Sequence, residues 1–320
     1  MFNPTAVVIE AFVEELVKHY VNMYGKNETD IQLLLSTARN SLEIICNSDA
    51  PYHDINHTMM VTIVGMEILR GKALIEGGVS SKAWVHFVIS LLTHDIGYVR
   101  GICKADRSGR YAINTEYETI SPPPGSTDAF LTPYHVDRAK MYINERFKDD
   151  ENIDVDLICE NIERTRFPVP NQEDHQSSTD YPGLIRAADL IGQLADPAYL
   201  RKISSLFAEF KETGQAAKMG YTTAADLREG YPRFFWEVVT PFISQGVRFL
   251  RRTQEGQMWV SNLYANVFTE EHEAPAYGPE RRHEDDRRLE SESLLTVKED
   301  TNHDKRRVSR RLKDSDRTKD

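Results

Sequence analysis

Cysteine is scarce in this sequence: the 320 residues include three, Cys46, Cys103 and Cys159. Because the number is odd and the spacing is wide, they predict neither a disulfide framework nor a cysteine-ligated zinc site. Reduced thiols, as in cytoplasmic proteins, are the simplest interpretation.

Long apolar runs are absent as well. No stretch approaches the ~20 residues that a membrane-spanning helix needs. The N-terminus has neither the basic segment nor the apolar core of a signal peptide. We therefore expect a soluble, cytoplasmic protein without a membrane span.

Positive charge is not in excess, since the formal net charge is −11. Residues 270–320 hold 13 Lys and Arg against 15 Asp and Glu, so most of the negative charge lies before them. A nonspecific nucleic-acid binder needs a basic stripe. The acidic body therefore argues against nucleic acid as a partner, and it suits a site that collects divalent cations.

Alternating strand patterns are also missing, whereas apolar residues recur with helical spacing along most of the chain. This periodicity predicts an all-α fold, with a single compact multi-helix domain over residues 1–268. Ser80 and Ser81 can cap a helix that ends in His94 and Asp95. The other expected helices cover 6–24, a segment from a Thr29-Asp30 cap to about 45, a segment from about 57 to 69, 132–147, 153–164, 183–194, 197–213, 222–229, 232–251 and 255–268.

Two segments depart from this periodicity. Residues 98–131 are polar and rich in glycine and proline, and we expect a loop that forms a wall of the pocket because they directly follow candidate ligands. Residues 269–320 are charged and poor in aromatics. Such a segment cannot bury enough apolar surface to offset its ordering entropy, so we expect a disordered tail.

The first candidate site is the pair His94-Asp95, which follows the apolar stretch 87–92 and precedes Gly97. A buried imidazole and carboxylate cost desolvation free energy unless they are paired or bind a metal. A lone His-Asp pair is common by chance, and its ordinary interpretation is surface or core decoration. Interpreting this pair as a metal site therefore requires further residues of metal-ligand type.

Those residues occur on both sides of the pair. His53 and His57 stand at i and i+4, so a helix would place both on one face. Asp189 lies in the apolar run 184–190. His57, His94, Asp95 and Asp189 together offer two imidazole nitrogens and two carboxylates, a set that suits zinc, iron or manganese.

This donor set predicts a mechanism for phosphoester hydrolysis. Asp95 has a second oxygen that could bridge to a harder cation such as magnesium or manganese. Water between two such ions becomes hydroxide near neutral pH and can attack phosphorus. His53 is then the candidate general acid that protonates the leaving oxygen, although it could instead only solvate the start of the helix.

The pattern His…His-Asp…Asp resembles the HD superfamily of metal-dependent phosphohydrolases, and residues 30–265 resemble class I cyclic-nucleotide phosphodiesterase catalytic domains in collinear patches. Residues 52–61 are similar to the family's Tyr-His-Asn-x-x-His-Ala-x-Asp-Val signature, and residues 184–190 to its Ala-Asp-Leu segment. Segments 209–214 and 238–242 are similar to its Glu-Phe-Phe-x-Gln-Gly and Val-x-Pro-Leu segments. The resemblance implies an HD phosphodiesterase fold, and it implies the general-acid role for His53.

The resemblance also suggests substrate contacts, with departures. His135 occupies the place of a family His, which favours contact with phosphate or the second metal over a surface role. Phe234 falls where the family's ring-stacking Phe would lie, although core packing is its ordinary interpretation. Tyr98 replaces the second His of the family's His-Asp motif, and Tyr231 is nearest the Gln that reads the base. A phenol cannot replace both hydrogen-bonding functions of an amide.

These observations predict a metal-dependent phosphohydrolase that acts on a small phosphodiester or nucleotide, such as a 3′,5′-cyclic nucleotide. Two divalent ions are expected: zinc, iron or manganese at the first site and magnesium or manganese at the second. Two alternatives stay open. One is a di-iron HD-type oxygenase, and the other is a non-catalytic regulatory HD-domain protein.

Overall fold

The computed structural model describes residues 2–272, and within them the chain folds as one compact, almost entirely helical domain. The predicted all-α class is confirmed. No helix among these residues is both long and apolar enough to cross a membrane. Residues 273–320 of the predicted disordered tail lie outside the described residues, and the predicted start of the tail at 269 is wrong because the last helix continues to His272.

Side-chain caps set the start of the first four helices. An Asn, Asp or Ser oxygen accepts a hydrogen bond from the first free backbone N–H groups of each helix, which stabilises the helix start. The helices and their caps are α1 (Pro4–Tyr24, Asn3), α2 (Glu28–Ile45, Asn27), α3 (Ile55–Glu76, Asp54) and α4 (Ser81–Thr93, Ser80). The predicted Ser80 cap is confirmed. The predicted Thr29-Asp30 cap is wrong, because Asn27 accepts from both N–H groups and places these two residues inside the first turn.

Nine further helices follow within residues 2–272. They are α5 (His135–Phe147), α6 (Val155–Glu163), α7 (Tyr181–Leu194), α8 (Tyr199–Glu212), α9 (Gln215–Lys218), α10 (Ala224–Glu229), α11 (Tyr231–Phe234), α12 (Thr240–Leu250) and α13 (Gln254–His272). The single helix predicted over 232–251 is interrupted by a π-helical turn, Phe235–Val239. Helix α3 continues seven residues beyond its predicted end, because Gly71 lets its backbone lie against Phe249 of α12.

The predicted pocket-wall loop after α4 contains more structure than expected. It begins with a 3₁₀ turn, Ile96–Tyr98, and ends with another, Asp128–Leu131. Between them β1 (Tyr111–Ala112) and β2 (Thr119–Ile120) form an antiparallel hairpin. Two-residue strands are too short to give an alternating pattern, so the all-α prediction could not include this hairpin.

The core forms where α3 packs against α7, with α12 beside both. A Cβ atom at Gly192 of α7 would lie 2.6 Å from Cα of Val61. Such a distance is well inside van der Waals contact, so only glycine lets the two helices approach this closely. This approach matters because α3 carries His57 and α7 carries Asp189.

Candidate metal centre

The first candidate ligand lies at the start of α3. Asp54 Oδ1 accepts a hydrogen bond from the His57 backbone N–H at 3.0 Å, so the helix begins at Ile55. His57 is thereby fixed in the first turn, where it is 5% exposed. His53 precedes the helix, so the expected helical i, i+4 pairing is wrong. The two imidazole centroids nevertheless lie 5.4 Å apart, although His53 comes before Asp54, the residue that caps the helix.

The second and third candidate ligands lie where α4 ends, the position expected from the sequence. His94 is the C-terminal cap residue of the helix, and its Nδ1–H donates to the Leu91 carbonyl at 2.7 Å. This bond fixes the ring and leaves Nε2 with a free lone pair, the form in which imidazole binds metals. Asp95 then turns the chain into the 3₁₀ turn, and both side chains are buried.

Four donor atoms from three helical segments converge in one small space. His57 Nε2 lies 3.1 Å from Asp95 Oδ2 and 3.4 Å from Asp189 Oδ1. His94 Nε2 lies 3.1 Å and 3.6 Å from the same two oxygens. Donors held ~2.1 Å from one ion stand ~3.0 Å apart on an octahedral edge and ~3.4 Å apart on a tetrahedral edge. One donor atom each from His57, His94 and Asp189 lies within 4.8 Å of the others, a grouping that could hold a cation, and His53, His57 and Asp95 form a second such group.

The hydrogen bonding of these atoms points the same way. His94 Nε2 and Asp95 Oδ2 are buried and have no hydrogen-bond partner among residues 2–272. Buried polar atoms without partners are costly, and binding a metal removes that cost. The donor set of two imidazoles and two carboxylates could hold a divalent transition metal.

Electrostatics couple the four groups strongly. Burial alone would lower the pKa of His57, but the adjacent carboxylates of Asp189 and Asp95 raise it to about 9. Burial alone would raise the pKa of Asp189, but the adjacent imidazoles of His57 and His94 lower it to about 2. The carboxylates therefore favour the protonated, positively charged form of each imidazole. A bound cation could take the place of these protons.

His53 is held beside this cluster by a residue for which we predicted no role, Glu209 of α8. The ring Nδ1 lies 2.6 Å from Glu209 Oε2, and the backbone N–H groups of Tyr52 and His53 both donate to Oε1. Burial lowers the pKa of His53, but the charges of Glu209 and Asp95 outweigh it and raise that pKa. The sequence does carry a signal, because Glu209 continues the buried stripe Tyr199, Ile203 and Leu206 of α8.

An aromatic stack connects His53 with His135. The Tyr98 ring lies between them, with centroid distances of 4.4 Å and 4.6 Å and nearly parallel planes. His135 Nδ1–H donates to the Thr132 carbonyl, and its Nε2 lies 3.7 Å from Asp95 Oδ1. His135 is therefore near the Asp95 oxygen that does not face His57 and His94.

Comparison with known proteins identifies a family. The family model described as Npun_R2479-like matches residues 2–273. This chain belongs to the Npun_R2479-like family. No curated protein sequence matches it.

A solved structure shows the fold of this Npun_R2479-like chain. The phosphodiesterase domain of the RhoPDE fusion protein from the choanoflagellate Salpingoeca rosetta superposes with a TM-score of 0.50 at 17% sequence identity. The match covers 85% of the present chain and 92% of the choanoflagellate domain. The two chains therefore share an overall fold.

Tyr231 and Phe234, the remaining candidate residues of this Npun_R2479-like protein, form contacts other than those of the stack of His53, Tyr98 and His135. Tyr231 is buried and packs its ring against Tyr199 and Phe235, so its side chain belongs to an aromatic core. Phe234 is partly buried and meets the exposed Phe167 edge to face at 5.7 Å. Within the described residues, the ring contacts of Tyr231 and Phe234 do not involve the candidate metal-centre residues, which are His53, His57, His94, Asp95, His135 and Asp189.

Arg138, a buried residue for which we predicted no role, fixes the loop 97–112 of this Npun_R2479-like protein, which follows the candidate ligands His94 and Asp95. The Arg138 guanidinium is fully buried and donates to the carbonyls of Gly97, Val99 and Ala112. It also forms a two-pronged ion pair with Asp106. Because one rigid fork holds both ends of the segment 97–112, the loop and Tyr98 keep a fixed position.

Proposed function

We propose that this protein is a metal-dependent phosphoric ester hydrolase that acts on a phosphodiester. The observation that carries the proposal is that the Nε2 atoms of His57 and His94 each lie 3.1–3.6 Å from one carboxylate oxygen of Asp95 and one of Asp189. His53 beside them is oriented by a buried carboxylate, as a general acid must be. The shared phosphodiesterase-domain fold agrees with this function.

Under this proposal the first cation is held by His57, His94, Asp95 and Asp189. Zinc, iron and manganese suit that donor set. A bound divalent ion supplies Lewis-acid activation of water and neutralises charge that develops on phosphate. Asp95 has its second oxygen on the side of His135, which is where a magnesium or manganese ion at a second site would be held.

His53 supplies the proton for the leaving oxygen. With Nδ1–H donating to Glu209, the other ring nitrogen is left to carry the acidic proton. The side chain is 16% exposed, so a substrate can reach it although the backbone on both sides is held. Stacking on Tyr98 restricts rotation of the ring and keeps that proton in one direction.

Substrate choice is proposed at the level of the phosphodiester, with a 3′,5′-cyclic nucleotide as one member of the class. Tyr231 stands nearest the position of the base-reading Gln, but its hydroxyl is buried and lacks a hydrogen-bond partner within the described chain. The Tyr231 side chain therefore gives no support to recognition of a nucleotide base at this position. His135 is the nearer candidate for contact with a phosphate oxygen.

Metal analysis followed by a substrate panel tests this proposal. Protein purified without added metal is analysed by mass spectrometry for zinc, iron and manganese, and then assayed on cyclic nucleotides, linear dinucleotides and aryl phosphodiesters. We expect about one tightly held transition metal per chain and hydrolysis of at least one phosphodiester. Asp95→Ala should lose both.

Two outcomes would contradict it. Two irons per chain with substrate-dependent oxygen consumption and no hydrolysis would indicate the di-iron oxygenase alternative. Absence of bound metal and of hydrolysis after reconstitution with each metal would indicate the regulatory alternative. Retention of full metal content and activity in Asp95→Ala would show that the four-residue donor set is wrong.

A further inference from the structure

Two arginines are buried side by side beneath the loop that precedes α7. Arg164, the residue that ends α6, is 6% exposed, and Arg186 of α7 is 2% exposed. Arginine is rarely buried to this extent without carboxylate partners, because its charge cannot be removed. Their partners therefore need a full account.

Arg186 is held in place almost entirely by neutral groups. Its two terminal nitrogens donate to the carbonyls of His175 and Ser177 at 2.8 Å each, and its guanidinium lies over the Phe242 ring at 4.3 Å. Its Nε–H is buried and has no hydrogen-bond partner among residues 2–272. These contacts orient the side chain but do not neutralise it.

Arg164 has only weak counter-charges, of which Asp180 is the one within ion-pair distance. One terminal nitrogen lies 3.5 Å from Asp180 Oδ2, and the other is buried without a hydrogen-bond partner in the described part of the chain. The other oxygen of Asp180 caps α7 by accepting from the Gly183 backbone N–H. Asp180 is 40% exposed, so the pair of arginines lies just beneath the surface.

The carboxylates near this group are exposed to solvent and neutralise it only weakly. Burial, followed by the charge of Arg164, lowers the pKa of Arg186 to about 10, and Asp180 only partly opposes this. Asp180 is 40% exposed, and Asp174, which also interacts with the charge of Arg164, is 72% exposed. Each guanidinium keeps a buried N–H group without a partner among residues 2–272, from which an oxyanion could accept a hydrogen bond.

We propose that Arg164 and Arg186, beneath the loop 173–180, form a binding site for a small oxyanion such as inorganic phosphate. The site uses none of the residues of the candidate metal centre. It therefore does not depend on the proposed hydrolase function.

Calorimetry and thermal unfolding with inorganic phosphate test this site. The full chain is treated with a chelator, so that phosphate cannot bind through a metal, and is titrated against sodium chloride of matched ionic strength. Phosphate should bind the wild type and raise its unfolding temperature beyond the chloride control. Arg164→Gln should weaken phosphate binding about ten- to hundredfold, because one charge-assisted hydrogen-bond donor and one positive charge are lost.

Two further variants sharpen the test. Asp180→Asn keeps an oxygen that can cap α7 but removes the competing negative charge, so it should bind phosphate several-fold more tightly. Arg233→Gln is the matched control, since that arginine is 81% exposed and pairs with Glu237. It should bind phosphate as the wild type does. If Arg164→Gln does not fold, Arg164→Lys keeps the charge without the planar fork and should still weaken binding.

The proposal is overturned if phosphate stabilises the protein no more than chloride does. It is also overturned if Arg164→Gln, or Arg164→Lys in its place, binds phosphate as tightly as Arg233→Gln. Weaker phosphate binding by Asp180→Asn would contradict the inference that the negative charge of Asp180 competes with the anion. Phenyl phosphate, titrated in parallel, distinguishes the source of the anion: weaker binding than phosphate indicates the free ion, and equal binding indicates the phosphate group of a larger molecule.

Discussion

His53 Nδ1 lies 2.6 Å from Oε2 of Glu209, a residue 156 positions later in the chain. Glu209 is buried, and its other oxygen accepts from two backbone N–H groups in the turn before α3. One carboxylate therefore fixes both the backbone and the ring of His53. This relationship explains how a residue outside the helix is held beside the metal-ligand candidates.

Glu209→Gln should lower turnover of a phosphodiester by about ten- to hundredfold while metal content is unchanged. The amide keeps the shape but can no longer stabilise a positive imidazole by charge. Steady-state kinetics and metal analysis measure the two effects. Glu212→Gln, one turn later and exposed, is the control and should behave as the wild type. Equal turnover in both variants would show that Glu209 only supports the fold.

Replacement of His53 should separate proton donation from metal binding. If His53 is the general acid, His53→Ala should keep its metal and lose roughly 10²–10⁴-fold in turnover. The defect should shrink on aryl phosphodiesters, whose leaving group is stable as an anion and needs little help from a proton. The same fractional loss on good and poor leaving groups would mean that His53 only positions the site, and His135 would be the next residue to test.

The sequence was sufficient for the helical class, and it selected His57, His94, Asp95 and Asp189, whose imidazoles and carboxylates the fold brings close together. Apolar periodicity and caps are local signals, and a His or Asp at the end of a buried segment is recognisable from its neighbours. Glu209 was harder to assign, because its role depends on a contact between α8 and the turn before α3. Its position on a buried helix stripe is the signal that could have identified it.

Other features depend on contacts that no single segment contains. Asp54 caps α3 and so excludes His53 from the helix, although the spacing of the two histidines favours a helical turn. Arg138 organises its loop through carbonyl groups, which carry no sequence signal at all. The interruption of the last predicted helix by a π turn likewise leaves the apolar pattern unchanged.

The two buried histidines of α4 and its cap offer a matched test of metal binding. His94 has one free ring nitrogen, whereas both ring nitrogens of His86 are occupied, by the Lys82 carbonyl and the Asp154 backbone N–H. His94→Ala should therefore retain less than about a tenth of the wild-type metal, as expected when one of four ligands is lost. His86→Asn should lose stability but keep its metal. Metal content is measured by mass spectrometry after dialysis, and full metal in His94→Ala would contradict the proposed ligand set.

Gly97 should not tolerate a side chain. A Cβ atom there would lie 1.8 Å from the His135 carbonyl oxygen, so Gly97→Ala must push the start of α5 away from the 3₁₀ turn. His135 would then move from Asp95, and the stack on Tyr98 would open. We expect a loss of about 2 kcal/mol or more in the free energy of unfolding, as for other overpacked sites, and at least about a tenfold loss of turnover. Urea unfolding measures the free energy of unfolding, and steady-state kinetics measure turnover. Wild-type values of both quantities in Gly97→Ala would show that the contact with the His135 carbonyl is easily relieved.

The ion-pair network around Glu163 predicts how stability depends on pH. Burial alone would raise the pKa of Glu163, but hydrogen bonds from Arg166 and Lys140 lower it to about 2. The ordinary value, 4.5, applies to the unfolded chain. A group whose pKa is lowered by folding stabilises the protein above its unfolded pKa, and this contribution is lost as the pH falls through its folded pKa.

Glu163→Gln should therefore be less stable than the wild type by on the order of 2 kcal/mol at pH 7. The difference should be constant down to about pH 4.5, shrink below it, and approach zero near pH 2, because the wild-type carboxyl becomes protonated and resembles the amide. Urea unfolding at pH 7, 5, 4 and 3 follows this difference. Glu14→Gln, at an exposed position of α1, should show little difference at any of these pH values. A Glu163→Gln difference that stays the same from pH 7 to pH 3 would indicate lost packing instead of lost charge.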